Sequence, residues 1–427
     1  MSLDKIKYAN IQMGYYLPSF FSIHLNTKSS LDDLNTLPIE DRSTFVHEYV
    51  HFLQDITTTF GLTNIINNVN IQKAINVKII SEETESFQIP VSIEEFSETE
   101  EYANLNSMFF GDFESEFNDL SEITSIELVE NGIIPNHEEK GFIKVNFRNF
   151  HNKYSFSFGA IHLMENMAYL IERSMFDQVN PPVYPYKIVN KIIEFIYPDF
   201  QQDTALIVLL CDYSLMSSDP GRFFYSLIDI LKKEQATSFD HIYDIIRKFN
   251  FHNNKNIEMT LFQLYEERLQ LALGSLKDYF TIEYFKEINE WFEVVFNDLG
   301  IYRMEQFNFW YDLLCMNSKE ERYIQFAKLT NIAGFPLISN DNGQVVFSHP
   351  KIYPQNLLAL RAIYSVNNII YNRMSSCNMQ IICKNSDKDI TSHKCNQPWL
   401  QGLESELCPF GQIIKMWGLH DKSPKRY

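Results

Sequence analysis

Thr44-Phe45-Val46-His47-Glu48-Tyr49-Val50-His51-Phe52-Leu53-Gln54-Asp55 is the stretch on which the fold turns. In a helix, His47 and His51 stand about one turn apart on one face, where both imidazoles can reach a single ion. Glu48 is displaced around the helix from that pair, beside the coordination position such an ion keeps open. A carboxylate there can take a proton from metal-bound water and hand it to a leaving group. With 11 His and 33 Glu in 427 residues, chance supplies about 0.02 matches to His-Glu-x-x-His. The flanking Thr44, Phe45, Val46, Tyr49, Val50, Phe52 and Leu53 are uncharged and predict a dry wall around the ion.

Outward from this stretch, the helix is expected to open near Thr36 and Pro38, with Glu40 and Asp41 in its first turns where the helix dipole favours negative charge. Gly61 reads as its stop. Residues 8–26 alternate closer to period two and predict one or two strands. From about 64 to 120 the chain turns acidic and reads as a solvated insertion with short strands at Val77–Ile80 and Phe87–Val91. Ile123–Val129, Gly141–Phe147 and Tyr154–Phe158 read as one small antiparallel sheet, the first two strands joined by a loop with Asn131-Gly132 and Pro135. Gly159 then hands over to a helix from Ala160 to Phe176 with apolar residues on several faces.

Beyond Pro181, Pro182 and Pro185 the segments are long and amphipathic, and a turn-rich passage from Gly334 to Pro350 precedes one more helix, Pro354 to Met374. The expected class is α+β, predominantly helical. Residues 1–180 form the unit with the small sheet and the acidic insertion, 187–375 a helical domain and 376–427 a cysteine-bearing tail.

A catalytic zinc site keeps three protein ligands and one open position, so a third donor must come from elsewhere. Position 57, six beyond His51, is Thr57 and supplies none. Glu165 is the best candidate, because it is a charged residue inside the otherwise apolar helix 160–176, where a carboxylate is costly unless paired or metal-bound. Ala168 leaves room for close approach of the two helices. Glu172 shares the face of Glu165 and is a candidate to orient a ligand. His162 is an alternative ligand or an oxyanion donor. Asp55, four residues past His51, is a candidate acceptor for that ring's other N–H, and Gln54 a candidate for holding substrate backbone.

These two segments, 38–61 and 159–176, resemble the zincin metallopeptidases, and the Glu on a separate downstream helix is similar to the gluzincin pattern of thermolysin-like enzymes. The resemblance implies a zincin-like catalytic unit and a Zn²⁺-dependent peptidase in which metal-activated water attacks a peptide bond, with Glu48 as general base and His47, His51 and Glu165 as ligands. Thermolysin-like enzymes tend to carry Asp four residues after the ligand Glu. Here that place holds Tyr169, which becomes a candidate oxyanion donor.

The formal charge of −19 opposes a phosphate backbone, and the densest basic stretch, Lys415 to Arg426, is short; nucleic acid is not an expected partner. Asp4, Lys5 and Lys7 stand where an export signal would carry its apolar core, and no run reaches the roughly 18 apolar residues of a membrane span. A cytoplasmic protein acting on protein or peptide substrates, by limited processing, is the expectation. Cys377, Cys383, Cys395 and Cys408 crowd the tail, separated by five, eleven and twelve residues. With His393 nearby they are candidate ligands of a second, structural zinc ion, although no Cys-x-x-Cys knuckle is present, and buried free thiols are the alternative. Glu48-x-x-His51 is also half of a di-iron carboxylate motif, but no second Glu-x-x-His occurs in the chain. A further alternative is a silent zincin-like interaction or sensor module.

Overall fold

In the computed structural model, the described residues are 13–91, 107–112, 122–130, 141–149, 152–177, 182–252, 257–354, 356–385, 389–404 and 407–426. Gly14–Leu17 (β1) and Ser22–Leu25 (β2) form an antiparallel hairpin with Tyr15 opposite His24. Together they make the floor under the long helix Ile39–Thr57 (α1). Every residue of α1 from Ser43 to Thr57 is buried. Such a helix is the centre of a protein rather than its wall.

The helix stops four residues before Gly61. Thr57 and Thr58 turn their hydroxyls back onto the carbonyls of Leu53 and Gln54, at 2.7 Å each. Thr58 leaves helical geometry and caps a second helix, Thr59–Ser81 (α2), by accepting from Gly61 N–H at 3.1 Å. Gly61 is therefore the pivot of a sharp corner and not a terminator. A Cβ there would lie 2.5 Å from the Asp55 carbonyl oxygen, closer than any side chain tolerates. Val77–Ile80, expected as a strand, lies in the last turns of α2, whose Ile71, Ile75 and Ile79 are buried at a helical spacing of four.

Ser86–Ile89 (β3) overlaps the expected Phe87–Val91 run at residues 87–89. Most of the remaining acidic insertion and the loop 131–140 lie outside the described residues. Glu122–Glu130 (β4), Gly141–Asn149 (β5) and Asn152–Phe158 (β6) form the expected antiparallel sheet. The strand β6 leads through Gly159 into the helix Ala160–Met175 (α3), which packs along α1. A Cβ on Gly159 would lie 2.5 Å from the carbonyl oxygen of Phe109, so only glycine lets the two backbones meet at this entry.

Helices follow at Ile188–Ile196 (α4), Thr204–Leu215 (α5), Pro220–Glu234 (α6) and Phe239–Ile246 (α7). After the small pair Asn250–His252 (β7) and Glu258–Thr260 (β8) come Leu261–Lys277 (α8), Lys286–Glu305 (α9), Phe309–Leu314 (α10) and Lys319–Ala333 (α11). A buried ion pair, Arg303 to Asp212 at 2.8 Å, ties α9 to α5.

The passage 334–350 is less loop-like than its turn residues suggest. Phe335–Asn340 (β9) pairs parallel with β2, and Val345–Ser348 (β10) closes the sheet in the order β1-β2-β9-β10. Strand pairing thus joins the N-terminal hairpin to residues far beyond 180. The helix Leu358–Ile370 (α12) is followed by Gln380–Lys384 (α13) and Pro409–Met416 (α14). The final strand Ser423–Arg426 (β11) pairs parallel with β3, so the tail beyond 375 is likewise woven into earlier chain. The class is α+β with small sheets, as expected. Among the described residues no helix is long and apolar enough to cross a membrane.

Candidate metal centre

Two helices build the site. From α1 come His47, Glu48, His51 and Gln54; from α3 comes Glu165, fully buried. Glu165 Oε2 lies 3.2 Å from His47 Nε2 and its Oε1 3.6 Å from His51 Nε2. One donor atom from each of the three residues can be chosen so that all lie within 4.8 Å of one another. A tetrahedron with centre-to-corner distances of about 2.1 Å has edges of about 3.4 Å, so the separations to Glu165 suit a small ion bound by nitrogen and oxygen.

The outer nitrogens fix which way the rings face. His47 Nδ1 lies 3.0 Å from Glu172 Oε2, and the other oxygen of Glu172 accepts from the Ser43 hydroxyl at 2.6 Å. His51 Nδ1 lies 2.8 Å from the side-chain oxygen of Gln54, whose amide donates to the Met164 carbonyl at 3.2 Å. Each acceptor holds a proton on Nδ1, which turns the Nε2 edge of each ring toward Glu165. Glu172 thus sits where the sequence placed an orienting group.

Asp55 does not take the role the sequence gave it. Its Oδ2 accepts from the Tyr16 hydroxyl and from Ser19 N–H, both at 2.9 Å, and so pins α1 to the β1–β2 hairpin. The acceptor on His51 is its neighbour Gln54, which in turn is buried and committed and offers nothing to a substrate backbone.

Electrostatics sharpen the picture. Burial disfavours a charged His47, but hydrogen bonds to Glu165 and Glu172, together with their charges, outweigh it and hold the ring well above its ordinary value. Burial likewise pushes Glu165 up, yet His51 and His47 more than reverse this and keep its carboxyl well below the usual range. Glu48 is pushed up to about 7 by burial, the nearby imidazoles only partly opposing. Its Oε2 has no hydrogen-bond partner among the described residues. Three buried carboxylates, Glu48, Glu165 and Glu172, therefore face two imidazoles, an arrangement whose charge a divalent cation would balance.

His162 and Tyr169 are occupied elsewhere. His162 Nδ1 accepts from Gly159 N–H at 3.1 Å and its Nε2 lies 3.2 Å from the Tyr184 hydroxyl, with Phe158 stacked on the ring. Burial pushes it down to about 3, so it is a neutral cap that holds the start of α3. The Tyr169 hydroxyl is engaged by Arg173 at 3.1 Å.

The phenol that does face the site is Tyr186, with its ring 6.0 Å from that of His47. Burial, then the charges of Glu165, Glu48 and Glu172, keep it protonated far above the ordinary tyrosine range. It was missed because nothing local distinguishes it; the only signal is its place just after the proline-rich turn that follows α3.

No family model, curated protein or solved structure matches this chain.

Proposed function

We infer that the chain is a zinc-dependent metallopeptidase-type hydrolase with a gluzincin-like, zincin-type site. The observation that carries this reading is the meeting of His47, His51 and Glu165 from two separate helices with Glu48 beside them, its Oε2 without a hydrogen-bond partner among the described residues. An ion bound by those three residues would supply Lewis acidity, polarising an amide carbonyl and making water easier to deprotonate. Glu48 then accepts a proton from the water that attacks the amide carbon and delivers it to the departing amine, so that water and amide yield acid and amine. Its raised pKa suits a group that must both take and return a proton near neutrality. Tyr186, protonated and adjacent, donates to the oxygen on which negative charge develops. Glu172 and Gln54 keep both imidazoles in one tautomer throughout. Limited cleavage of chosen protein substrates fits so enclosed a site better than bulk digestion.

A second reading is favoured by the same enclosure: His51 and Glu165 are both 0% exposed, and structural metal sites are closed ones. In that reading the centre is a silent metal-holding module. Metal content measured with a proteome-wide cleavage screen, wild type against Glu48→Gln, separates the two. Zinc with cleavage lost in Glu48→Gln is the result expected of the peptidase. Zinc that is lost in His47→Ala/His51→Ala, with no cleavage in either protein, establishes the silent module, and iron in place of zinc defeats the peptidase.

A further inference from the structure

Four of the six cysteines come from four separate pieces of the tail. Cys377 follows α12, Cys383 lies in α13, Cys395 in the short 3-10 turn His393–Asn396, and Cys408 caps the N-terminus of α14. None of the four is in a disulfide. They line one small cavity of about 10 Å³, together with Pro398 and Phe410 among others. This is room for about one water-sized guest.

Donors converge on the sulfurs as well. Gly411 N–H points to Cys408 Sγ and Ser392 N–H to Cys395 Sγ, both at 3.5 Å, and the Ser365 hydroxyl lies 3.5 Å from Cys377 Sγ. A fourth donor, the Gln401 amide, lies 3.8 Å from Cys395 Sγ. Backbone and side-chain donors aimed at sulfur stabilise thiolates, as the outer partners of metal-bound cysteines do. Cys377 N–H also donates to the Cys395 carbonyl at 3.1 Å, which fastens two of the four segments directly. His393, weighed from the sequence as a ligand, is on the exposed side of its turn and is not needed. Among the described residues, the donor atoms of His47, His51 and Glu165 form the one set drawn to within 4.8 Å. The four cysteines line one cavity without being drawn together to that degree, and an ion would draw them in.

We propose that Cys377, Cys383, Cys395 and Cys408 form a second, structural site for one tetrahedrally bound zinc ion. The ion joins four separate segments of the tail, and so helps to secure the stretch that carries β11 to its place beside β3. Each thiol gives up its proton to solvent as the ion binds, and no electron is transferred. The proposal is independent of the site on α1 and α3.

The full-length double variant His47→Ala/His51→Ala is the protein to test, loaded with zinc or with Co²⁺ and freed of excess metal. About one equivalent of zinc is expected to remain. The Co²⁺ form should show intense thiolate-to-cobalt charge transfer, which a histidine and carboxylate site cannot produce. Adding Cys383→Ser and Cys408→Ser should abolish both signals. In the wild-type chain, where folding is not in question, zinc should protect all four thiols from alkylation, with a chelator exposing them. Absence of retained metal together with thiols equally reactive with and without zinc overturns the proposal, as does iron or a disulfide among the four. Failure of the α1–α3 site alone would show as a wild-type chain that binds one ion and keeps the cobalt–thiolate signal.

Discussion

Glu172→Gln isolates what the carboxylate behind His47 contributes. Without an ion, His47 is held protonated between Glu165 and Glu172, so an ion must displace the Nε2 proton. Below the ring's raised pKa, this proton by itself makes affinity climb tenfold per pH unit, or about 1.4 kcal/mol. Glutamine keeps an oxygen to accept from Nδ1–H but removes one of the two anions that stabilise the imidazolium. Two consequences oppose each other. Proton competition weakens, while the neutral ring becomes a poorer ligand, and loss of such an outer partner costs about 10- to 100-fold in affinity, or about 1.4–2.8 kcal/mol. The variant should bind zinc more weakly at alkaline pH, with the two curves converging as pH falls below the ring's raised pKa. Chelator competition in a buffer series gives the curves, and calorimetry in buffers of different ionisation enthalpy counts the protons. A wild-type affinity that does not change with pH, or a variant curve running parallel to it, would refute the linkage between Glu172 and His47.

Tyr186→Phe should lower kcat for any substrate found by about 10²–10³-fold while leaving zinc content and KM unchanged; an unaltered kcat removes the phenol from the mechanism. Burial raises Asp55 to about 7, with Ser19, Tyr16 and His51 opposing, against about 3.9 in an unfolded chain. Between those values the folded state holds a proton that the unfolded state has lost, so this residue makes stability fall as pH rises from about 4 to about 7 and level off above. Asp55→Asn should flatten that part of a urea-unfolding profile, and an unchanged slope would assign it elsewhere. Gly61→Ala should cost about 1–3 kcal/mol, because the new methyl meets backbone rather than a movable side chain; thermal unfolding indistinguishable from wild type would show that the α1–α2 corner yields freely.

The candidate site was legible in the sequence where a residue's chemistry conflicts with its surroundings. Two histidines and a glutamate inside an uncharged run, and Glu165 alone in an apolar helix, are costly to bury, and that cost marked them. Gln54 and Tyr186 carry no such conflict. Positions 54 and 55 are three and four residues past His51, and a helix brings both close to it. The choice was made by Tyr16 and Ser19 on the hairpin, which claim Asp55 through contacts 39 and 36 residues away in the chain. The three-stranded sheet was readable from alternation, since its register needs only neighbours in sequence. The pairing of β2 with β9 was not, because it spans some three hundred residues and leaves only turn residues as its local trace.

Charge gives the site its strongest physical constraint. Glu48 and His47 both keep protons near neutrality in the ion-free protein, one because burial raises its carboxyl and the other because two carboxylates claim its ring. Those protons are what makes three buried carboxylates tolerable there. A divalent cation replaces two protons without changing the charge of the pocket, so binding is an exchange rather than the addition of new charge to a dry interior. Proton release per ion bound at this site should thus approach about two below pH ~7 and fall toward one above it, as Glu48 ionises ahead of binding. Glu48→Gln removes the group that supplies the second proton, and the count should then stay near one on both sides of neutrality. A variant that still releases about two protons in acid would place the second outside Glu48, and the carboxylate's claim to the general-base role would fall with it.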